Sequence, residues 1–234
     1  MGAIATAQEA AAALATVGDQ LELARSIVRE ARATLDEAAE LIHEDIHDTE
    51  IVVARAFTFI PKPTLNGRDL AASAKLVASV FSQAPVLPGA TPPPMALAAS
   101  VSAMPPPVTG PLSNNHDRAR TLFARCIPYL GNGEDDMWLK FSDRRVDALE
   151  YGVEAETRLD GAIVHAQHTV LIHRFYQSES PSEEDRMREA WKLREILPSA
   201  IEEVDAALES ITNMRNAVAA EEEIVRQAID DAAP

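Results

Sequence analysis

The feature that most constrains the fold is an apolar repeat near the start of the chain. From Leu14 to Ile42, apolar residues recur alternately three and four positions apart, and charged residues occupy many of the positions between them. This heptad spacing places the apolar side chains on one face of an α-helix that packs along its length. We therefore predict one long amphipathic helix over residues 3–46. Its seam is formed mainly by Leu14, Val17, Leu21, Val28, Leu35 and Ile42, with alanines between them.

The remaining chain also favours helix over sheet. Alanine is the commonest residue and aromatic residues make up only 5% of the sequence, a balance that suits helices because alanine loses no side-chain entropy on entering one. Further helices are predicted over residues 68–84, 117–130, 135–176 and 183–230. Asp117 is a candidate N-cap, and Pro198 is expected to kink or divide the last helix. Residues 50–60 fit either a strand or a continuation of the first helix, which we favour.

Within the helix predicted over residues 135–176, several apolar side chains are expected to face the interior. Phe141, Val153 and Leu159 are among them.

The predicted helices indicate an all-α protein made of two helical hairpins or one elongated bundle. The N-terminal hairpin covers residues 1–84, and the C-terminal hairpin covers residues 115–234. Residues 85–114 form a connector with nine prolines, a density that favours extended polyproline conformations. An apolar insert at residues 95–104 is either a short buried helix or a docking peptide, in cis or in trans.

Charge and composition exclude several classes of function. A formal net charge of −16 disfavours binding to nucleic acid or to anionic membranes. No apolar stretch is long enough to predict a membrane span. Cys126 is the only cysteine, so an internal disulfide is impossible, and we expect it to be a small buried hydrophobe. We expect a cytoplasmic protein of bacterial or phage origin, or part of a particle assembled in the cytoplasm.

One short motif points to a different chemistry. His43, Glu44 and His47 match the H-E-x-x-H pattern, in which two histidines one helical turn apart bind zinc and the glutamate acts as general base. The neighbouring Asp45 and Asp48 place charges where zinc peptidases of this type usually have uncharged residues. No third ligand follows at a familiar spacing. We therefore predict no cofactor, and we keep a zinc site as the alternative.

The seam is the strongest functional signal in the sequence. It is satisfied either inside one bundle or by pairing with another chain, and the spacing alone does not choose between these alternatives. We expect a non-catalytic helical scaffold or adaptor, a structural component that binds protein and self-associates. The alternatives are a zinc-dependent hydrolase that uses His43, Glu44 and His47, and a secreted or phage-borne helical effector.

Metal analysis tests the zinc alternative directly. Untagged protein purified without chelator should contain no stoichiometric zinc by mass spectrometry, because the motif lacks a third ligand. A His43→Ala/His47→Ala variant provides the reference sample. One zinc per chain in the native protein that is lost in the variant would make the hydrolase the leading function.

Overall fold

The computed structural model describes residues 2–41, 112–131, 134–178 and 182–233. These residues are almost entirely helical and contain no strand, so the prediction of an all-α protein is confirmed for them. The elements are α1 (Ala3–Leu41), α2 (Leu112–Cys126), a 3₁₀ turn (Ile127–Tyr129), α3 (Glu134–Ser178) and α4 (Glu183–Ala232). The longest, α4, has 50 residues and extends about 75 Å at 1.5 Å per residue.

The apolar repeat of α1 forms its buried face. The positions of α1 with no exposed surface fall into two series with strict seven-residue spacing, and this repeat is the one expected of a helix packed along its whole length. The first series is Ala7, Leu14, Leu21, Val28 and Leu35, and the second is Ala10, Val17, Ala24, Ala31 and Ala38. Alanine fills most of the second series, so neighbouring helices can approach α1 closely along that side.

Helices α1 and α4 pack against each other in antiparallel orientation. The Arg32 Nε donates to Asp205 at 2.7 Å, and the Arg215 Nε lies 3.0 Å from a Glu22 carboxylate oxygen. The two contacts are ten residues apart on each helix and run in opposite directions. Both ion pairs lie at the partly exposed edge of the interface, where such pairs contribute little stability. They show the register of the two helices, but apolar packing stabilises it.

Helices α2 and α3 meet through an aromatic cluster at one end of the bundle. The ring centroids of Phe123 and Phe141 are 4.9 Å apart, and Trp138 lies 5.8 Å from Phe141. The chain leaves the 3₁₀ turn through Gly131, whose φ of +117° is readily adopted only by glycine. The cluster and the turn together set the position of α2 beside α3.

Helix α4 joins both halves of the chain into one core. It packs against α1 and against α3, and buried residues from all four helices form one continuous apolar cluster. Helix α1 from the N-terminal part of the sequence and α2, α3 and α4 from the C-terminal part therefore share one bundle, a point that the sequence pattern left open.

Two local expectations were wrong, and a third was wrong in one of its two alternatives. Helix α2 begins at Leu112, so Asp117 lies inside it and accepts a hydrogen bond from Arg145 at 2.6 Å instead of capping the helix. Pro198 does not divide α4, because the helix is continuous through it and its side chain lies on the solvent side. A kink at Pro198 stays a prediction. Val153 is exposed, whereas Phe141 and Leu159 are buried as expected.

Several other predictions lie outside the described residues. They are the helix over residues 68–84, the helix or strand at residues 50–60, and the apolar insert at residues 95–104.

Two leucine-to-alanine substitutions test the bundle. Leu21→Ala should lower the free energy of unfolding by about 2–5 kcal/mol, because Leu21 is fully buried and the change leaves a cavity. Leu139→Ala removes the same atoms from an exposed site and should change it by less than about 0.5 kcal/mol. Urea unfolding followed by circular dichroism measures both values. Equal effects would contradict the packing described here.

Candidate functional site

The structure buries the predicted seam within the chain. Five of its six residues, Leu14, Val17, Leu21, Val28 and Leu35, have no exposed surface. In the folded bundle these side chains contact α2 and α4, which corresponds to the internal alternative. A role for them in pairing with another chain stays a prediction and would require the bundle to open. Ile42, the sixth residue, lies outside the described residues.

The zinc alternative also lies outside the described residues. His43, Glu44 and His47 all follow the end of α1 at Leu41. Within the part of the chain that the structure describes, no group of three or more histidine, cysteine, aspartate or glutamate side chains could hold a metal ion.

A buried histidine and glutamate form the first unexpected feature of the interior. His116 on α2 and Glu221 on α4 are 1% and 0% exposed. The His116 Nε2 lies 2.7 Å from one Glu221 carboxylate oxygen and 2.9 Å from the other. Both distances are within hydrogen-bond range, so the imidazole nitrogen and the carboxylate are hydrogen-bond partners. The pair connects α2 to α4 across the interior of the bundle.

The surroundings of this pair are only partly polar. The His116 Nδ1 is buried and makes no hydrogen bond to any described residue. The neighbouring Asn115 donates through its side-chain amide to Gln20 on α1 at 3.4 Å. Gln20 is itself nearly buried. Polar side chains from three helices therefore meet near the start of α2.

The pair is suited to fixing the arrangement of the helices. Both side chains are sealed from solvent, so a dissolved substrate cannot contact them while the bundle is closed. A polar group at a core position can specify helix register and partner choice at a cost in stability. We interpret the pair as a device that sets the position of α2 against α4.

The sequence contained a signal for this pair that the motif search missed. On α4, buried residues recur with heptad spacing, and Glu221 occupies a position of that series between Met214 and Ala228. On α2, His116 lies four residues after the buried Leu112 and three residues before the buried Ala119. Charged or polar residues at seam positions on two helices predict a buried hydrogen-bonded pair. Spacing alone does not show that the two side chains are in contact.

The second feature is an apolar row on the outer face of α3. Leu139, Val146 and Val153 are seven residues apart and are 60%, 52% and 57% exposed. Leu149 lies between them in the same heptad pattern and is half-buried. We call these four residues the α3 stripe. The opposite face of α3 supplies the core residues, so this helix has two apolar faces and the described bundle covers only one.

Cys126 occupies the bundle interior, as expected. It is 2% exposed, and burial raises the pKa of its thiol above the ordinary value. Its Sγ approaches the Phe123 carbonyl oxygen at 3.4 Å. A thiol with a raised pKa is a poor nucleophile at neutral pH.

A shallow groove runs between the start of α1 and the end of α4. Ala11, Ala12 and Ala15 line one side, and Glu222 and Arg226 line the other. The Arg226 Nε donates to Glu222 at 3.0 Å, and this contact raises the pKa of Arg226 above its ordinary value. Arg226 is the one cation among the described residues that line the groove, and it is already paired.

None of the described helices contains a stretch long and apolar enough to cross a membrane. Comparison with protein-family models, with curated proteins and with solved structures found no match to this chain.

Substitution of the buried pair tests its structural role. His116→Leu should lower the free energy of unfolding by about 3–5 kcal/mol, because it leaves the Glu221 carboxylate buried without a partner. The double variant His116→Leu/Glu221→Met removes both polar groups and should be more stable than His116→Leu alone. Denaturant unfolding of both proteins gives the comparison. A double variant less stable than the single one would contradict the interpretation.

Proposed function

We propose that this protein is a non-catalytic helical scaffold or adaptor that acts through helix–helix association at the outer face of α3. The observation that carries the proposal is the α3 stripe, an exposed row of apolar side chains with heptad spacing on a 45-residue helix. Single exposed apolar residues are common on protein surfaces, but apolar side chains that repeat along one helix face are typical of a site that binds another helix.

The length of the α3 stripe fits a helical partner. From Leu139 to Val153 the row extends about 21 Å along the helix axis at 1.5 Å per residue. Apolar residues at these intervals are the anchors used when an amphipathic helix packs lengthwise on another helix. A partner helix of about four turns would cover the whole row.

The bundle provides a firm support for this surface. The inner face of α3 is held by five side chains with no exposed surface, and the helix packs closely against α4. A preformed helix that does not need to fold on binding loses little conformational entropy when a partner docks. The α3 stripe is therefore presented in an ordered geometry.

Photo-crosslinking tests the proposal. A benzoylphenylalanine introduced at Val146 should form a covalent adduct of higher mass in cells that naturally make the protein, because a partner helix covers that side chain. The same group introduced at Glu202, an exposed position on α4, is the matched control and should form no comparable adduct. Val153→Asp should remove the Val146 adduct, because it places a charge inside the apolar contact.

The proposal fails if Val146 forms no adduct either in those cells or in purified protein at high concentration. An adduct that survives Val153→Asp would also contradict it, since the contact would then not depend on the α3 stripe.

A further inference from the structure

Along the α3 stripe the basic side chains form ion pairs within this chain, whereas several acidic side chains do not. Every lysine and arginine between residues 134 and 160 is already paired with a carboxylate of this chain: Lys140 with Asp136, Arg144 with Asp147, Arg145 with Asp117 and Arg158 with Glu203. The basic side chains of this part of α3 are therefore occupied.

Several acidic side chains along the same face lack such partners. Asp143 and Glu150 are exposed and follow the row of valines at seven-residue spacing, and Glu156 lies near its far end. None of the three forms an ion pair with any described residue. Among the described residues of α3, the unpaired charge beside the α3 stripe is consequently all negative.

We propose that the partner at this surface is a basic amphipathic helix of another protein, with apolar residues along its seam and lysine or arginine beside them. This inference rests on the proposed function and narrows its partner to one chemical class. The apolar seam would cover Leu139, Val146 and Val153, and the flanking cations would lie beside Asp143 and Glu150. This is the arrangement by which charges beside an apolar seam select partners in coiled coils.

A second copy of this chain fits the surface less well. Two copies pairing antiparallel through the α3 stripe would place Asp143 and Glu150 of one chain near the same residues of the other, and like charges at such positions disfavour association. The formal net charge of −16 adds a general repulsion between copies. A basic helix would instead be attracted both by Asp143 and Glu150 and by the negative net charge of the protein.

Two designed peptides test the partner class. Both are single helices of about 20 residues with the same leucine and isoleucine seam, one flanked by lysines and the other by glutamates. The full-length native protein should bind the lysine peptide and not the glutamate peptide, as measured by fluorescence anisotropy. Added salt should weaken the binding, because exposed ion pairs are screened.

Three variants locate the contact. Val146→Ser/Val153→Ser should weaken binding of the lysine peptide about tenfold or more, because it removes the apolar anchors without changing the charge. Asp143→Lys/Glu150→Lys should weaken the same binding about tenfold and should allow the glutamate peptide to bind. Glu202→Lys/Glu209→Lys makes the same change in net charge, with the same spacing, on an exposed face of α4. It should have a much smaller effect.

A thiol at the α3 stripe tests its accessibility. Val153→Cys should react with a maleimide in the free protein at the rate of an exposed thiol, while the buried Cys126 reacts slowly. Saturating lysine peptide should protect it. If the free protein resists labelling at every concentration, residues of this chain cover the row. If labelling slows as concentration rises, a second copy covers it. Either result overturns the inference.

Other outcomes separate this inference from the proposed function. Equal binding of the two peptides, or equal loss in the α3 and α4 charge variants, would show that the acidic row does not select the partner. A Val146 crosslink to another protein together with no lysine-peptide binding would sink the inference and leave the scaffold proposal standing. No crosslink and no peptide binding would remove both.

Discussion

The antiparallel packing of α1 on α4 is the interaction on which the rest of this structure depends. Long amphipathic helices are marginal alone, because most of their stability in proteins comes from packing of the apolar face. Here α4 offers buried heptad positions from Leu197 to Ala228, and α1 and α3 both pack on it. Because α4 packs against both α1 and α3, unfolding of α4 would expose the buried faces of all three helices, so the bundle is expected to unfold cooperatively.

The buried pair of His116 and Glu221 interrupts that apolar interior at one level. An interior of leucine and alanine repeats is uniform along its length, so neighbouring registers bury similar surface. A hydrogen-bonded polar pair that matches at only one register makes the shifted arrangements costly, because each would leave a carboxyl group buried without a hydrogen-bond partner. The short α2, with only 15 residues, carries half of the pair.

Helix α3 differs from the other helices because it has two apolar faces. One face contributes Phe141, Ala148, Ala155 and other side chains to the core, and the other presents the α3 stripe to solvent. The two rows have the same seven-residue spacing but lie at different angles around the helix. The inner row stabilises the fold, while the exposed row and the unpaired carboxylates beside it form the surface to which we assign partner binding.

The sequence by itself determined the helices, because heptad spacing fixes which side chains share a face. It predicted α1 and the residues that form its seam, and it located α3 and α4 closely. It also predicted the buried state of Cys126. The predicted start of α2 was wrong. Asp117 has the right chemistry for an N-cap, but it pairs with Arg145 on α3 instead.

Only the tertiary structure decided which faces meet. It brought His116 and Glu221 together from positions 105 residues apart, and it left Val153 exposed where periodicity placed it inside. The sequence of one helix does not show which of its two apolar faces packs against another helix. That choice depends on packing against α2 and α4, where the summed burial of all helices selects one arrangement.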